Sequence, residues 1–151
     1  IDPVKTRMFV TQAAGSSPIV SAFQAGALHV HPVKPDTVAK SIAIGNPADG
    51  YYALSTARQS GGGACAVADD EIIAGMKLLA QTEGIFAEPA GGVVIASLKK
   101  LVASGEIKRH EVTVAFITGA GPRNQEAVSD MVQSFTVQPN LESFNKVLGL
   151  P

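Results

Sequence analysis

Thr118-Gly119-Ala120-Gly121 is the stretch whose residue types come nearest to doing chemistry. It follows the apolar, β-branched run Val112 to Ile117, and ligands of open α/β sheets gather where strands end at their carboxyl side. A threonine hydroxyl can donate to or accept from an uncharged heterocyclic nitrogen, and flanking glycines let a planar ligand approach the backbone closely. The same residues also suit a tight strand-to-loop turn. A dinucleotide fingerprint is excluded because its third glycine position is Asn124, and no P-loop consensus occurs. Glu88 precedes Pro89 and so stands at a helix N-terminus, where the helix dipole favours a carboxylate that either caps the helix or orients a ligand. Gly91 and Gly92 in the first turn cost about 1 kcal/mol each relative to alanine, which asks for close packing or a ligand in return.

Other reactive side chains lack partners in the sequence. His29 and His31 alternate in an extended segment and share one face, but His110 is distant and no metal-binding spacing of His or Cys occurs, so no metal is assigned. Cys65 lies in an apolar strand and reads as core rather than nucleophile. Ser16 and Ser17, beside Gly15, suit a helix cap or an anion site, of which the cap is the simpler.

These residues need elements to hold them. Arg7 to Thr11 predicts a strand and Gln12 to Pro18 a loop; Pro18 then opens a helix carrying Ile19, Val20 and Phe23 that ends near Gly26. His29 to Pro35 is extended. Asp36 then caps a helical turn with Val38, Ile42 and Ile44, which Gly45-Asn46-Pro47 stops. A helix from about Ala48 to Arg58 leads through Ser60-Gly61-Gly62-Gly63 to a strand, Ala64 to Ala68. The clearest helix is capped by Asp69, buries Ile72, Ile73, Met76, Leu79 and Ala80, and stops at Gly84. Another runs from Pro89 to Ser104 with Val93, Val94, Leu98 and Leu101 as its apolar positions. Val112 to Ile117 has no charge, as expected of a strand covered on both faces of a parallel sheet. A short strand around Phe135 to Val137 and a helix through Leu141, Phe144 and Leu148 complete the chain. Strands alternating with helices predict a three-layer αβα sandwich with a mainly parallel sheet, one domain over residues 1–151 with a tail over 132–151.

The 151 residues carry 12 Lys+Arg against 13 Asp+Glu, a net charge of −1, which excludes the basic field that nucleic acid or an anionic membrane requires. Charged residues are 17%, below the roughly 25% of an ordinary domain, so part of the surface is expected to pack against another polypeptide. A lone cysteine forms no internal disulfide, and no apolar run nears the roughly 18 residues of a membrane span, so a reducing, cytoplasmic setting is expected. The Ile1-Asp2-Pro3 start, without a methionine or a signal-peptide pattern, is expected of a cut or trimmed chain.

Taken in order, QAAGSSPIV (Gln12 to Val20), SIAIGNPADG (Ser41 to Gly50), SGGGACAVADDEI (Ser60 to Ile72), TEGIFAEPAGG (Thr82 to Gly92) and VAFITGAG (Val114 to Gly121) resemble the C-terminal half of threonine synthases. These are pyridoxal-phosphate enzymes of the tryptophan synthase β-like fold. IGNPA and GIFAEPA resemble threonine synthases in particular, whereas EPAG and TGxG forms also occur in serine and threonine dehydratases. The resemblance implies that Thr118 contacts the pyridine nitrogen of pyridoxal phosphate, that Glu88 and Gly119 lie beside the ring, and that Asn46 borders the active site. It implies conversion of O-phospho-L-homoserine and water into L-threonine and phosphate, with the cofactor as electron sink. After Gly121 this chain has Pro122-Arg123-Asn124 where similar enzymes continue with leucine-lysine-aspartate. The family's Schiff-base lysine lies in a serine-phenylalanine-lysine-aspartate motif of the N-terminal half. That motif is absent here, so no lysine of this chain is nominated as catalytic. The resemblance therefore implies a partner, the missing N-terminal half, and a homodimer in the complete protein. Alternatives are a threonine or serine dehydratase of the same fold, or a non-catalytic interaction domain.

Overall fold

In the computed structural model, which describes residues 5–122 and 135–149, strand β1 (Phe9–Ala13) pairs in parallel with β2 (Gly63–Val67), from Phe9 opposite Gly63 to Ala13 opposite Val67. A parallel pair needs a long crossover, here carrying α1 (Pro18–Gln24) and α2 (Gly50–Gln59). The two-residue strand period divides the core. Val10 packs with Ile19, Ala22 and Leu54 of α1 and α2, while Ala13, Cys65 and Val67 pack with Ile72, Val93 and Ala96. The latter belong to α3 (Asp69–Glu83) and α4 (Pro89–Ala103). Helices thus cover both faces, giving the expected three layers. β1 begins and ends two residues later than the predicted strand, because Gln12 and Ala13 pair with Ala66 and Val67 despite the loop-like composition that follows.

Helix ends depart from expectation wherever a distant side chain competes for the cap. At α1, Gln12 Oε1 accepts from the Ile19 and Val20 N–H groups at 2.9 and 3.1 Å, whereas the Ser17 hydroxyl donates to the Ala14 carbonyl and caps nothing. Asp69 is the first residue of α3 rather than its cap; its carboxylate accepts from the Thr37 hydroxyl (2.6 Å) and the Val38 N–H (3.0 Å), tying the crossover to the end of β2. The turn expected after Asp36 shrinks to a 3-10 turn over Lys40–Ile42. Gly84 ends α3 in the left-handed region, φ 68°, as its position after the last apolar turn predicts.

Glu71 performs the capping that Asp69 does not. Its carboxylate accepts from the Ala68 N–H at 2.8 Å and pairs with Lys100 at 2.9 Å, and these two contacts, the backbone bond foremost, hold its pKa below the ordinary 4.5. A depressed carboxylate contributes stability that is present above its unfolded pKa and is lost as the pH falls through the folded one. The melting temperature should therefore fall as the pH drops below 4.5. Glu71→Gln should start lower at neutral pH and lose less on acidification; parallel acid slopes in scanning calorimetry would remove Glu71 from the account. The pair is exposed, so the effect is small.

Residues 112–117 correct the sequence reading. They form no strand or helix and join no ladder, and Val112, Val114 and Phe116 are 98%, 73% and 69% exposed instead of covered. Among the described residues no hydrogen bond engages the backbone of Val112 to Thr118. An apolar β-branched run dictates an extended backbone, but the strand it would form also needs neighbours to bond. Phe135 to Val137 likewise lies outside any ladder. The last helix, α5 (Leu141–Leu148), forms as expected: Asn140 Oδ1 accepts the Ser143 N–H at its start and Gly149 closes it with φ 64°. Leu141, Phe144 and Leu148 are nevertheless exposed. Among the described residues no helix is long and apolar enough to cross a membrane.

Candidate functional site

Pro89 occupies the first position of α4, where its missing N–H costs nothing, and leaves Glu88 as the extended residue before the helix. A carboxylate there would ordinarily cap. Instead the Glu88 side chain makes no cap bond and accepts from the Ser41 hydroxyl at 3.2 Å, while its own N–H donates to the Gly119 carbonyl at 3.0 Å. Glu88 is only 7% exposed. Ala87 and Ala120 form an antiparallel bridge, and the Gly121 N–H donates to the Phe86 carbonyl at 2.9 Å, so residues 86–88 and 119–121 lie edge to edge.

Gly119 and Gly121 are required by this junction. A Cβ on Gly119 would collide with the Glu88 carboxylate and one on Gly121 with the Phe86 ring. Thr118, immediately before, is exposed, and its hydroxyl makes no hydrogen bond among the described residues. Ser41 follows closely on Thr37 and Val38, which Asp69 binds just beyond β2, so the junction sits at the carboxyl end of the strands. The structure thus brings together Glu88 and Gly119, with Thr118 adjoining. Asn46 lies in the loop beyond Ser41, exposed and with no hydrogen bond to this group.

Ser41 was not singled out by sequence reasoning, although it opens the SIAIGNPADG segment; a serine in an irregular stretch carries no signal of its own. Gly91 and Gly92 find their reason in packing. A side chain on Gly91 would press on Ala87 and Ile117, and one on Gly92 on the Ile72 carbonyl of α3. Ser16 is buried and its hydroxyl has no partner among the described residues; Ser97 in α4 is the same. His29, His31 and His110 are exposed, and no group of three or more His, Cys, Asp or Glu side chains suited to a metal occurs among the described residues.

What the arrangement offers is a buried carboxylate held at a helix N-terminus against the side-chain-free Gly119, and on the preceding residue, Thr118, a hydroxyl with no hydrogen bond among the described residues. Residues 2–119 match the family described as pyridoxal-phosphate dependent enzyme. Over 144 residues the chain is 42% identical to a threonine synthase of Methanosarcina acetivorans, a match covering 94% of this chain and 36% of that protein. Over 122 residues it is 47% identical to the threonine synthase of Methanocaldococcus jannaschii, covering 80% and 30%. Its fold is similar to that of maize serine racemase, with TM-score 0.57 and 16% identity over 83% of this chain and 39% of that one. The chain spans about a third of the length of these relatives.

Proposed function

The chain belongs to the family of pyridoxal-phosphate dependent enzymes, and on that premise we propose that it is the ring-binding portion of a threonine synthase, which converts O-phospho-L-homoserine and water into L-threonine and phosphate. The observation that carries this reading is the 42% and 47% identity to two threonine synthases across most of the chain. Because the chain spans about a third of those proteins, the activity is assigned to the complete polypeptide, as are the Schiff-base lysine, a homodimeric state and a cytoplasmic location. Residues 1–151 act as one α/β domain of that enzyme.

Pyridoxal phosphate, when bound, supplies an electron sink for charge developing on substrate carbons. The residues present fit such a ring. Thr118 offers an exposed hydroxyl with no hydrogen bond among the described residues, suited to donate to an unprotonated pyridine nitrogen. Gly119 leaves that approach open, since it carries no side chain. Glu88 is pinned at two points, by Ser41 and by Gly119, and so keeps a fixed place beside the ring. Asn46, in the loop beyond Ser41, is assigned to the border of the active site.

Full-length enzyme supplied with O-phospho-L-homoserine should release phosphate and form threonine in equal amounts. Keto acid from threonine, without phosphate from O-phospho-L-homoserine, would move the chain to the dehydratases. Neither product would leave a non-catalytic domain.

A further inference from the structure

The Glu88 carboxylate has two places to go, and it occupies the less ordinary one. On the residue before a helix, a side-chain oxygen usually accepts from the second or third N–H of the first turn. Here the Gly91 N–H already donates to the backbone carbonyl of Glu88 at 2.9 Å, and Pro89 has no N–H, so the Ala90 N–H is the donor left for a cap. That N–H has no hydrogen-bond partner among the described residues, although Ala90 is buried. The carboxylate that could satisfy it lies over Gly119 instead, in the space of the missing side chain. Among the described residues Ser41 is the one side chain that donates to it, and no lysine or arginine is paired with it.

A buried amide without a partner costs free energy that a cap would recover, so something must hold Glu88 away from it. Ser41 is placed to do so, because its own segment is fixed from elsewhere. Asp69 accepts from the Thr37 hydroxyl and the Val38 N–H, the Lys40 N–H donates to the Val38 carbonyl at 2.9 Å, and the Ile42 N–H donates to the Ala39 carbonyl at 3.1 Å. An anchored hydroxyl steers a longer, rotatable side chain rather than following it. Gly119 leaves the room that the steered carboxylate needs. We propose that Ser41 is a positioning residue: it draws the Glu88 carboxylate off the α4 cap and sets it over Gly119, next in the chain to Thr118. At 3.2 Å the bond is long for a hydroxyl and a carboxylate, so the preference rests on one modest contact and loss of the hydroxyl is enough to reverse it. That the carboxylate is thereby set beside the cofactor ring rests on the reading of Thr118, Gly119 and Glu88 as the ring site; the choice between its two places does not.

Exchange of the Ala90 amide proton in the cofactor-free full-length enzyme, followed by NMR after selective labelling of alanine nitrogen, tests the choice. Ser41→Ala should slow it at least about tenfold, because the released carboxylate takes that N–H. Ser41 is exposed, so its replacement leaves the fold intact. Ser41→Thr keeps the hydroxyl and should exchange like the parent. Glu88→Ala alone should leave the parent rate nearly unchanged, and combined with Ser41→Ala it should abolish the slowing. A hydroxyl that merely braced the loop would give the opposite sign, faster exchange on its removal, so an equal or faster rate in Ser41→Ala would overturn the proposal. Slowing that persists in the double variant would do the same. Affinity for pyridoxal phosphate, from absorbance titration of the same variants, is scored separately. It should fall about tenfold in Ser41→Ala, the loss expected of about 1.4 kcal/mol, and return in Ser41→Thr. Slowed Ala90 exchange with unchanged affinity keeps Ser41 in control of the carboxylate and removes Glu88 from the ring.

Discussion

Gly75→Ala will destabilise the fold by about 2 kcal/mol or more, although helix propensity alone favours alanine by about 1 kcal/mol at such a position. A Cβ on Gly75 would stand 2.5 Å from the Gly92 carbonyl oxygen and 3.1 Å from the Ala96 amide nitrogen, and both are backbone atoms of α4. No side chain can rotate away to relieve that contact. The helices must separate, which loosens Ile72, Val93 and Ala96 in the main core cluster. Overpacking a close-packed interior typically costs 1–3 kcal/mol, and here the propensity gain offsets only part of a cost at the upper end of that range. Ala74→Gly, at the neighbouring exposed position, isolates the propensity and should cost about 1 kcal/mol. Urea denaturation of both variants decides the matter. A neutral or stabilising Gly75→Ala would mean that α3 and α4 part without loss.

Gly75 shows the limit of what the sequence could tell. Gly91 and Gly92 stand out because they spoil a first turn that nothing local excuses, whereas Gly75 is one glycine within a long apolar helix. Its reason lies across a helix–helix contact, and the same holds for the caps. Composition marks where α1, α3 and α4 begin and end, since Pro18, Pro89, Gly84 and the apolar spacing act locally. Which group satisfies the freed N–H groups is settled by tertiary neighbours. Gln12 reaches α1 from a strand, and Asp69 leaves its own helix for Thr37 and Val38. Val112 to Ile117 failed for a different reason. Its residue types carry strand preference, but a ladder is a relation between two segments, and among the described residues no segment bonds to this one.

The candidate site was legible in pieces. Thr118 and Gly119 followed from an apolar run ending in a glycine turn, and Glu88 from a carboxylate before a helix proline. Their adjacency could not be read from sequence, because it rests on the Glu88 N–H donating to the Gly119 carbonyl and on the Ala87–Ala120 bridge. The third participant, Ser41, arrives on the crossover between the strands, where only the fold places it. That assembly gives Gly119 a double constraint: the backbone must stay open toward Thr118 while the Glu88 carboxylate occupies the space of its missing side chain.

Thr118→Val in the full-length enzyme should lower cofactor affinity or turnover about 10- to 100-fold, because removing one partner of a buried hydrogen bond costs about 1–3 kcal/mol and each 1.4 kcal/mol is tenfold. The substitution keeps the shape of the side chain and removes only the hydroxyl proposed to meet the ring nitrogen. Thr118→Ser restores the hydroxyl and should recover most of the loss. Neither change should move the melting temperature of the cofactor-free protein, since Thr118 is exposed and its hydroxyl makes no hydrogen bond among the described residues. That separation matters. A residue serving only the strand-to-loop turn would show its loss in stability, and valine, with its strand preference, would cost little there. A residue serving the ring shows it in the absorbance titration with pyridoxal phosphate and in phosphate release, with the fold intact. If Thr118→Val binds and turns over like the parent, Thr118-Gly119-Ala120-Gly121 is a turn and nothing more, and the ring contact must be sought elsewhere around Glu88.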